Sequence, residues 1–172
     1  MNNYIPNMYK KDIFDIDYSK LKSIGIKCLM FDLDNTLALI DEESISPLVK
    51  NQLEELKKDF KIVIISNNTN KRIKKFCCAF DTFFVSFAMK PLHYGFKKVM
   101  NKFSLQKKEI CIIGDQIMTD ILGGNRYGIY TILIDPLGKK DLKITSLNRF
   151  LEKKIITKLS KDKILERGKY YG

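Results

Sequence analysis

Five apolar segments of strand length recur along the chain, and stretches with a helical spacing of apolar residues separate them. The five segments are residues 28–33, 62–65, 83–87, 110–113 and 131–134. Uninterrupted runs of this kind, rich in β-branched residues, are typical of strands that are covered on both faces. Because helices alternate with them, the pattern predicts a three-layer α/β fold in which helices cover both faces of a mostly parallel sheet.

The predicted helices follow from capping residues and from apolar spacing. Ser46 is placed to cap a helix that has Pro47 at its first position, and Asn70 is placed to cap the next helix. Apolar residues three and four apart predict further helices over residues 92–103 and 117–127. Right-handed crossovers would bring the carboxyl ends of the strands to one edge of the sheet, where open α/β sheets bind ligands.

A chain of 172 residues is long enough for one domain with a single core. We expect one domain over residues 1–172, with its main unit at 28–135, an irregular and partly helical apolar flank at 1–26 and a basic helical segment at 138–172. Apolar runs stay well below the roughly 18 residues of a membrane-spanning helix, and a signal-peptide pattern is absent, so the sequence predicts a cytoplasmic protein. Cys28 and Cys111 lie in strand segments and are expected to fill the core.

The positive charge is concentrated near the end of the sequence. The formal net charge is +11, and residues 138–172 hold 11 basic and 4 acidic residues. A basic segment indicates an anionic partner, either a phospholipid surface or nucleic acid. The apolar stripe of this segment can pack on the domain with its lysines solvated, or it can lie on an anionic membrane. Its members are Leu147, Phe150, Leu151, Ile155 and Leu159.

Acidic pairs follow two of the predicted strands. Asp32 and Asp34 stand where the first segment leaves the sheet, and Asp115 and Asp120 follow the fourth, after Gly114. Charge at the end of a buried strand is costly unless it is compensated. Because hard cations such as Mg²⁺ prefer carboxylate oxygens, the two pairs predict a magnesium site.

Residues that can bind phosphate lie between the two acidic pairs. Ser66, Asn67 and Asn68 follow the second strand, and Lys90 stands before Pro91. Hydroxyl, amide and ammonium groups can all donate to phosphoryl oxygens. An acid pair, a hydroxyl, a lysine and a second acid pair at successive strand ends are what a phosphoryl-transfer site on one sheet edge requires.

These motifs resemble the four motifs of the haloacid dehalogenase (HAD) superfamily of phosphotransferases, over residues 28–135. The resemblance implies a Rossmann-like fold and a Mg²⁺-dependent phosphatase that forms an aspartyl-phosphate intermediate. In it Asp32 resembles the nucleophile and Asp34 the general acid and base. The remaining roles are phosphoryl binding by Ser66 and Lys90, magnesium ligation by Asp115 and support of the metal site by Asp120.

The residues make that chemistry intelligible. Mg²⁺ held by Asp32, Asp115 and the backbone carbonyl of Asp34 would let an anionic nucleophile approach a phosphate. Asp34 would begin protonated, so that it can donate to the leaving alkoxide.

The spacing of the motifs leaves no room for a cap domain. Nine residues separate Thr36 from Ser46, and 23 separate Ser66 from Lys90. A site without a cap is open to a bulky substrate or to a surface.

Within the superfamily the sequence resembles the capless subclass IIIA branch that includes phosphatidylglycerophosphate phosphatase. Residues 32–37 (DLDNTL), 90–91 (KP) and 119–126 (TDILGGNR) carry this resemblance, with softer support from Tyr9, residues 15–17 and residues 148–150. It implies a phospholipid substrate, phosphatidylglycerophosphate, which is dephosphorylated to phosphatidylglycerol. It further implies a peripheral contact with the inner face of a membrane, and Arg126 as a phosphate contact.

Two other functions fit an open site and positive charge. One is a phosphatase that acts on polynucleotides or phosphoproteins, and the other is a non-catalytic nucleic-acid or assembly module with a vestigial site. Nucleic acid is not favoured, because the phenylalanines lie in apolar surroundings and are expected in the core. They are Phe76, Phe80, Phe83, Phe84 and Phe87.

Overall fold

The computed structural model describes residues 2–78, 80–138 and 146–172. In these residues the strands are β1 (Met8–Lys10), β2 (Cys28–Phe31), β3 (Lys61–Ile65), β4 (Phe83–Val85), β5 (Ile110–Gly114) and β6 (Tyr130–Ile134). The α-helices are α1 (Tyr18–Ser23), α2 (Pro47–Leu56), α3 (Asn70–Cys78), α4 (Tyr94–Phe103), α5 (Leu122–Tyr127) and α6 (Ser146–Lys161). Short 3₁₀ turns lie at Asn2–Tyr4 and Lys107–Glu109, and a π-helical turn lies at Ile117–Ile121.

The strands form one sheet in the order β1-β6-β5-β2-β3-β4, and every described pairing is parallel. This confirms the predicted α/β fold. At the centre of the sheet, Phe31 of β2 lies level with Ile64 of β3 and Ile113 of β5. The carboxyl ends of these three strands therefore meet at one edge of the sheet, here called the carboxyl edge.

Helices cover both faces of the sheet. On one face Leu29 and Phe31 of β2 pack with residues of α2 and α3, and on the other face Met30 packs with Phe96 and Val99 of α4. Two-sided burial explains why the strand segments are uninterrupted apolar runs. Cys28 and Cys111 are buried and free, as predicted for core residues.

The N-terminal flank differs from its prediction. Residues 8–10 form an edge strand, in which Met8 pairs with Ile132 of β6, and both Met8 and Tyr9 are fully buried. A three-residue strand is too short to show an alternating pattern, so this part of the flank was wrongly expected to be irregular.

One predicted helix cap is confirmed, and the observed helix boundaries differ from the predicted ones at three places. The side chain of Ser46 caps α2 by accepting from the Val49 N–H at 3.3 Å, as predicted. Asn70 is the first residue of α3 and not its cap, and α4 begins at Tyr94, two residues later than predicted. The helix predicted over residues 117–127 is divided into the π-helical turn and α5.

The C-terminal helix packs on the domain through part of its apolar stripe. Leu159 is fully buried in a cluster with Ile117, Ile121 and Leu133, whereas Phe150 remains 56% exposed. Residues 139–145 of the predicted basic segment, and the side chain of Leu147, lie outside the described residues. None of the helices in the described ranges combines the length and the apolar character needed to cross a membrane.

Candidate active site

Polar and charged residues converge at the carboxyl edge of the sheet. Asp32 follows β2, Ser66 follows β3, and Asp115 follows β5, so that three neighbouring strands each supply one. Lys90 comes from the loop after β4. All four side chains are buried, as are Asp34 and Asp120.

Lys90 joins the two acidic motifs. Its Nζ atom donates to Asp32 Oδ1 and to Asp120 Oδ1, each at 2.6 Å, and to the carbonyl oxygen of Ile65 at 3.0 Å. Burial raises the pKa of Asp32 to about 8, although the ammonium group opposes this shift. Burial alone would lower the pKa of Lys90, but Asp120 and Asp32 together hold it above its usual range. The lysine therefore stays charged and offsets part of the cost of the buried carboxylates.

Asn67 holds the backbone of Lys90 in place. Its side-chain Nδ2 donates to the Lys90 carbonyl at 2.8 Å, and its Oδ1 accepts from the Lys90 N–H at 2.7 Å. The predicted phosphate-binding amide is thus engaged with the chain itself. Ser66 is different, because its Oγ accepts from the Asn68 N–H at 3.1 Å and its hydroxyl proton is donated to none of the residues that the structure describes, so it can serve a ligand.

Asp34 is oriented by two residues that follow β3. Arg72 Nε donates to Asp34 Oδ1 at 2.7 Å, and Asn68 Nδ2 donates to Oδ2 at 3.1 Å. The guanidinium group also donates to the carbonyl oxygens of Leu39 at 2.9 Å and Glu42 at 3.0 Å. One side chain thereby ties Asp34 to the loop that leads away from it. Sequence reasoning missed Arg72, because it stands on a lysine-rich helix that looks like a solvated face.

The second acidic motif is held by the C-terminal helix. Arg149 of α6 forms an ion pair with Asp115 Oδ2 and donates to the Asp115 carbonyl oxygen at 3.2 Å. Thr36 Oγ1 donates to Asp115 Oδ1 at 3.4 Å. Burial raises the pKa of Asp115 to about 7, and Arg149 opposes that shift. Arg149 entered the sequence analysis only as part of the softer resemblance at residues 148–150.

Glu152 fixes α6 against the start of the π-helical turn. It is only 2% exposed, accepts from the backbone N–H groups of Ile117 and Met118, and bonds Arg149 Nη1 at 3.0 Å. Burial raises the pKa of its carboxyl, again against the influence of Arg149. This residue was also missed, because one glutamate among several lysines carries no sequence signal for a buried cap.

Gly114 explains how Asp120 reaches the site. A Cβ atom on Gly114 would lie 2.4 Å from the Asp120 carboxyl carbon, so only glycine lets the acid fold back over the end of β5. Asp120 Oδ2 then accepts from the Gln116 N–H and the Thr119 hydroxyl, each at 3.3 Å.

The buried carboxylates fit a hard divalent cation. Asp32, Asp115 and Asp120 each offer one oxygen, and these three atoms lie within 4.8 Å of one another. Mg²⁺ is octahedral with oxygen ligands at about 2.1 Å, so opposite ligands stand roughly 4.2 Å apart, which is close to this spacing. The carboxylate of Asp34 faces Arg72 and Asn68, which leaves its backbone carbonyl as the group predicted to meet a metal.

Arg126 does not join these residues. It is exposed in the last turn of α5, four positions before β6 begins, and its neighbour Asn125 bonds the segment that precedes β1. In the residues that the structure describes, no hydrogen bond or ion pair connects Arg126 to the site. The structure thus places Arg126 apart from these residues, at the end of α5, and its role as a phosphate contact stays a prediction.

A basic cavity opens beside Asp34. It has a volume of about 290 Å³ and is lined by Glu43, Asn68, Thr69, Lys71, Arg72 and Lys75. Lys75 pairs with Glu43 at 2.9 Å and Arg72 pairs with Asp34 at 2.7 Å, so Lys71 supplies the surplus positive charge of this cavity, which favours an anionic ligand. No inserted domain covers the site, since residues 37–45 form a loop and residues 67–89 contain only α3 and β4 among their described elements.

Comparisons with known proteins agree with this geometry. A family model described as mitochondrial PGP phosphatase matches residues 1–78, and one described as HAD-hydrolase-like matches residues 88–146. The chain is 37% identical over 159 residues to a Bacillus subtilis protein named "Probable phosphatase YqeG", with 92% of each chain covered.

Two longer relatives carry a substrate in their names. The chain is 27% identical to phosphatidylglycerophosphate phosphatase 1 of Arabidopsis thaliana, covering 87% of this chain and 49% of that protein. It is 28% identical to the enzyme of the same name from Chlamydomonas reinhardtii, covering 77% of this chain and 53% of that protein. The chain thus spans about half the length of these two relatives.

Solved structures share the fold at low sequence identity. An uncharacterised protein from Listeria monocytogenes serotype 4b matches with a TM-score of 0.55 at 21% identity, covering 76% of this chain and all of that one. A predicted HAD-like hydrolase from Porphyromonas gingivalis matches with a TM-score of 0.53 at 16% identity, covering 74% and 98%.

Proposed function

Because this chain belongs to the HAD superfamily, in the branch of the phosphatidylglycerophosphate phosphatases, and is a phosphatase, we propose that it removes the terminal phosphate of phosphatidylglycerophosphate. The observation that carries the proposal is the convergence of Asp32, Lys90, Asp115 and Asp120, all buried, at one edge of the sheet. Two relatives named for this reaction support the substrate.

Asp32 is the proposed nucleophile. Its carboxylate attacks phosphorus, a bond forms between Asp32 and phosphorus, and the bond from phosphorus to the glycerol oxygen breaks. Lys90, 2.6 Å from Asp32, supplies a fixed positive charge beside the transferring group. The hydroxyl of Ser66 donates to a phosphoryl oxygen.

Asp34 is the proposed proton carrier. In the first step it donates a proton to the leaving alkoxide, and in the second step it takes a proton from the water that hydrolyses the aspartyl phosphate. The contacts of Arg72 and Asn68 with its two oxygens hold this side chain apart from the carboxylate cluster. The two carboxylates that follow β2 thereby receive different surroundings, which separate roles require.

The metal is proposed to be Mg²⁺, held by Asp32, Asp115 and the backbone carbonyl of Asp34, with Asp120 supporting the site. When bound there, it neutralises charge on the phosphoryl oxygens. In this structure Lys90 pairs with Asp32 and Arg149 pairs with Asp115, so each of these two proposed metal ligands also has a cationic side chain beside it.

The basic cavity beside Asp34 suits the rest of the proposed substrate. Phosphatidylglycerophosphate carries a phosphodiester in addition to its terminal phosphate, and Lys71 offers positive charge in the same cavity as Asn68. The absence of an inserted domain, in the part of the chain that the structure describes, leaves room for a lipid at the site.

The test is phosphate release with and without Mg²⁺ from four substrates. They are phosphatidylglycerophosphate in mixed micelles, a sugar phosphate, a 3′-phosphorylated oligonucleotide and a phosphopeptide. We expect the highest kcat/KM for the lipid and no release by the Asp32→Asn variant, whose fold is checked by circular dichroism. A preference for one of the other three substrates would overturn the lipid assignment, and activity of the variant would overturn the mechanism.

A further inference from the structure

The loop between β4 and α4 exposes large apolar side chains next to the site. Phe87 is 57% exposed, Met89 54%, Leu92 55% and Tyr94 54%. Ala88 and Lys90, which alternate with the first two, are buried. Four large apolar residues thus face solvent within eight positions, from this loop to the first residue of α4, and exposed apolar patches mark interaction surfaces. We call residues 87–94 the apolar loop.

Hydrogen bonds hold the apolar loop at the carboxyl edge. The Phe87 N–H donates to the Asn68 carbonyl at 3.1 Å, and the Ala88 N–H donates to the Ser66 carbonyl at 3.0 Å. The Gly95 N–H closes the loop on the Ala88 carbonyl at 3.2 Å. A surface bound to Phe87 and Met89 would therefore stand directly beside Lys90 and the attacking carboxylate.

The backbone of the loop is unfavourable for the residues it carries. Phe87 has a φ of 46° and Met89 a φ of 57°, which is the left-handed region that bulky side chains rarely adopt. Asparagine or glycine would meet both conformations at lower cost. Large apolar residues that are strained and exposed gain nothing within the fold, so their contacts are expected with a partner.

The charges around the loop indicate which partner. Lys71 lines the same cavity as Asn68, whose carbonyl accepts from the Phe87 N–H, and Lys97 and Lys98 are exposed in α4, three and four positions after Tyr94. The chain as a whole has a net charge of +11. Apolar side chains flanked by lysines match the interface of an anionic bilayer, where the former enter the acyl boundary and the latter meet the headgroups.

We propose that the apolar loop docks the protein on an anionic lipid surface through Phe87 and Met89, with the active site facing the bilayer. This inference rests on the proposed function, since a lipid substrate must be reached within its membrane. It assigns the membrane contact to the apolar loop and not to the lysines of α6.

The experiment compares two variants with the wild-type chain. The double variant Phe87→Asn, Met89→Asn removes the apolar groups with residues that tolerate left-handed backbone. The control is Ile24→Asn, which replaces an apolar residue that is 49% exposed at the end of α1, four positions before β2 enters the opposite edge of the sheet. Vesicles are phosphatidylcholine alone or with phosphatidylglycerol, and binding is measured by co-sedimentation.

We expect the wild type and the control to bind the anionic vesicles and the double variant to bind at least about tenfold more weakly, the effect of losing two buried apolar side chains. The KM for phosphatidylglycerophosphate in these vesicles rises with the loss of binding, whereas kcat/KM for soluble p-nitrophenyl phosphate is unchanged. Thermal melts of the three proteins confirm that each is folded.

Several results would overturn the proposal. These are absence of vesicle binding by the wild type, equal binding by the double variant, and loss of binding in Lys153→Gln, Lys154→Gln on α6 but not in the loop variant. A change from dimer to monomer in the double variant, with vesicle binding retained, would assign the loop to a second copy of the chain. Vesicle binding that depends on the loop without hydrolysis of phosphatidylglycerophosphate would refute the proposed substrate and leave the docking surface standing.

Discussion

At the scale of single residues, three cationic side chains pair with the four carboxylates of the site. Lys90 pairs with Asp32 and Asp120, Arg72 with Asp34, and Arg149 with Asp115. Buried charges of one sign would otherwise repel each other strongly. The cations come from three different parts of the chain, so Asp34, Asp115 and the pair of Asp32 with Asp120 can be held independently of one another.

Metal binding is expected to depend on pH through Asp32 and Asp115. Burial raises the pKa of these carboxyls to about 8 and about 7, so without a metal each holds a proton well above its usual range. A metal must displace these protons, so the affinity for Mg²⁺ is expected to rise between pH 6 and pH 8, by up to about tenfold per pH unit for each proton released. Calorimetry in buffers of different ionisation enthalpy measures both the affinity and the protons.

The same two pKa shifts determine the direction in which the free energy of unfolding changes with pH. A carboxyl whose pKa is higher in the folded protein than in the unfolded chain favours folding when protonated, so this contribution is lost as pH rises from about 4 to about 8. The metal-free protein should therefore lose stability across that window and regain it when Mg²⁺ is added. An affinity for Mg²⁺ that is constant from pH 6 to pH 8 would contradict the burial of these groups in solution.

Arg72 is expected to act as a positioning residue for Asp34. The Arg72→Gln variant loses the bonds to Asp34 and to the Leu39 and Glu42 carbonyls, so kcat should fall by roughly 10²-fold with little change in KM, as misplaced catalytic groups do. Arg72→Lys keeps the charge but not the planar fork and should recover only part of kcat. Steady-state kinetics and the pH profile of kcat measure this.

The matched control for Arg72 is Lys74→Gln, which removes an exposed positive charge from the same helix. Equal losses in Lys74→Gln and Arg72→Gln would mean that α3 acts through its net charge and not through the contact with Asp34.

The site shows how far single residues could be predicted. Asp32, Ser66, Lys90 and Asp115 were found because each follows a strand, and a parallel sheet brings strand ends together. Arg72 lies 38 residues from Asp34, and Arg149 lies 34 residues from Asp115, in helices whose spacing fits a solvated face. Such contacts depend on how helices pack on the sheet, and the spacing of apolar residues along the chain does not specify that packing.

At the scale of elements, α6 is part of the site and not only a cover for the sheet. Its Glu152 bonds the backbone N–H groups that open the π-helical turn, and its Arg149 bonds Asp115 two residues before that turn. The sequence predicted this helix from its apolar stripe. The contacts to the acidic loop come from the polar residues of the same helix.

Removal of Glu152 is expected to loosen that connection. In Glu152→Ala the N–H groups of Ile117 and Met118 and the guanidinium of Arg149 lose a buried partner, so the free energy of unfolding should fall by about 1–3 kcal/mol. The affinity for Mg²⁺ should fall as well, because the Asp115 loop is less fixed. Urea denaturation and calorimetry measure the two effects.

A glutamate in an exposed ion pair is the control for Glu152. Glu166 pairs with Lys169 at 2.7 Å with both side chains largely exposed, so Glu166→Ala should change the free energy of unfolding by less than about 1 kcal/mol. Similar effects of both substitutions would show that Glu152 is not a buried cap in solution.

At the scale of the whole molecule, the N-terminal and C-terminal flanks meet at the β1 edge of the sheet. Tyr9 of β1 forms an antiparallel bridge with Tyr171, and Lys10 Nζ donates to the Gly172 carbonyl at 2.7 Å. Asp135, after β6, accepts from Tyr170 at 2.7 Å and from Arg167 at 3.0 Å. Part of the basic surplus near the C-terminus is thus used within the fold, so the charge count overstates what a partner can meet.

These contacts lead to a prediction for cooperativity. Leu165 is 2% exposed and packs with Leu159, Ile117 and Leu133. Leu53 of α2 is buried in a different core cluster, which includes Phe31. Replacing either by alanine should lower the free energy of unfolding by about 2–4 kcal/mol through the cavity it leaves. If residues 1–172 form one domain, both variants must shift the same single transition in calorimetry and in near-ultraviolet dichroism.

The control for these variants is Leu48→Ala, at a position that is 66% exposed and should leave the transition almost unchanged. The scans belong in buffer without Mg²⁺, because a ligand that binds only the folded state raises its stability and can hide a weaker unit. A second transition, shifted by Leu165→Ala and not by Leu53→Ala, would mean that the C-terminal segment unfolds by itself. Arg149 and Glu152 would then be held to the acidic loop by an independent unit, and the site would lose these contacts before the sheet unfolds.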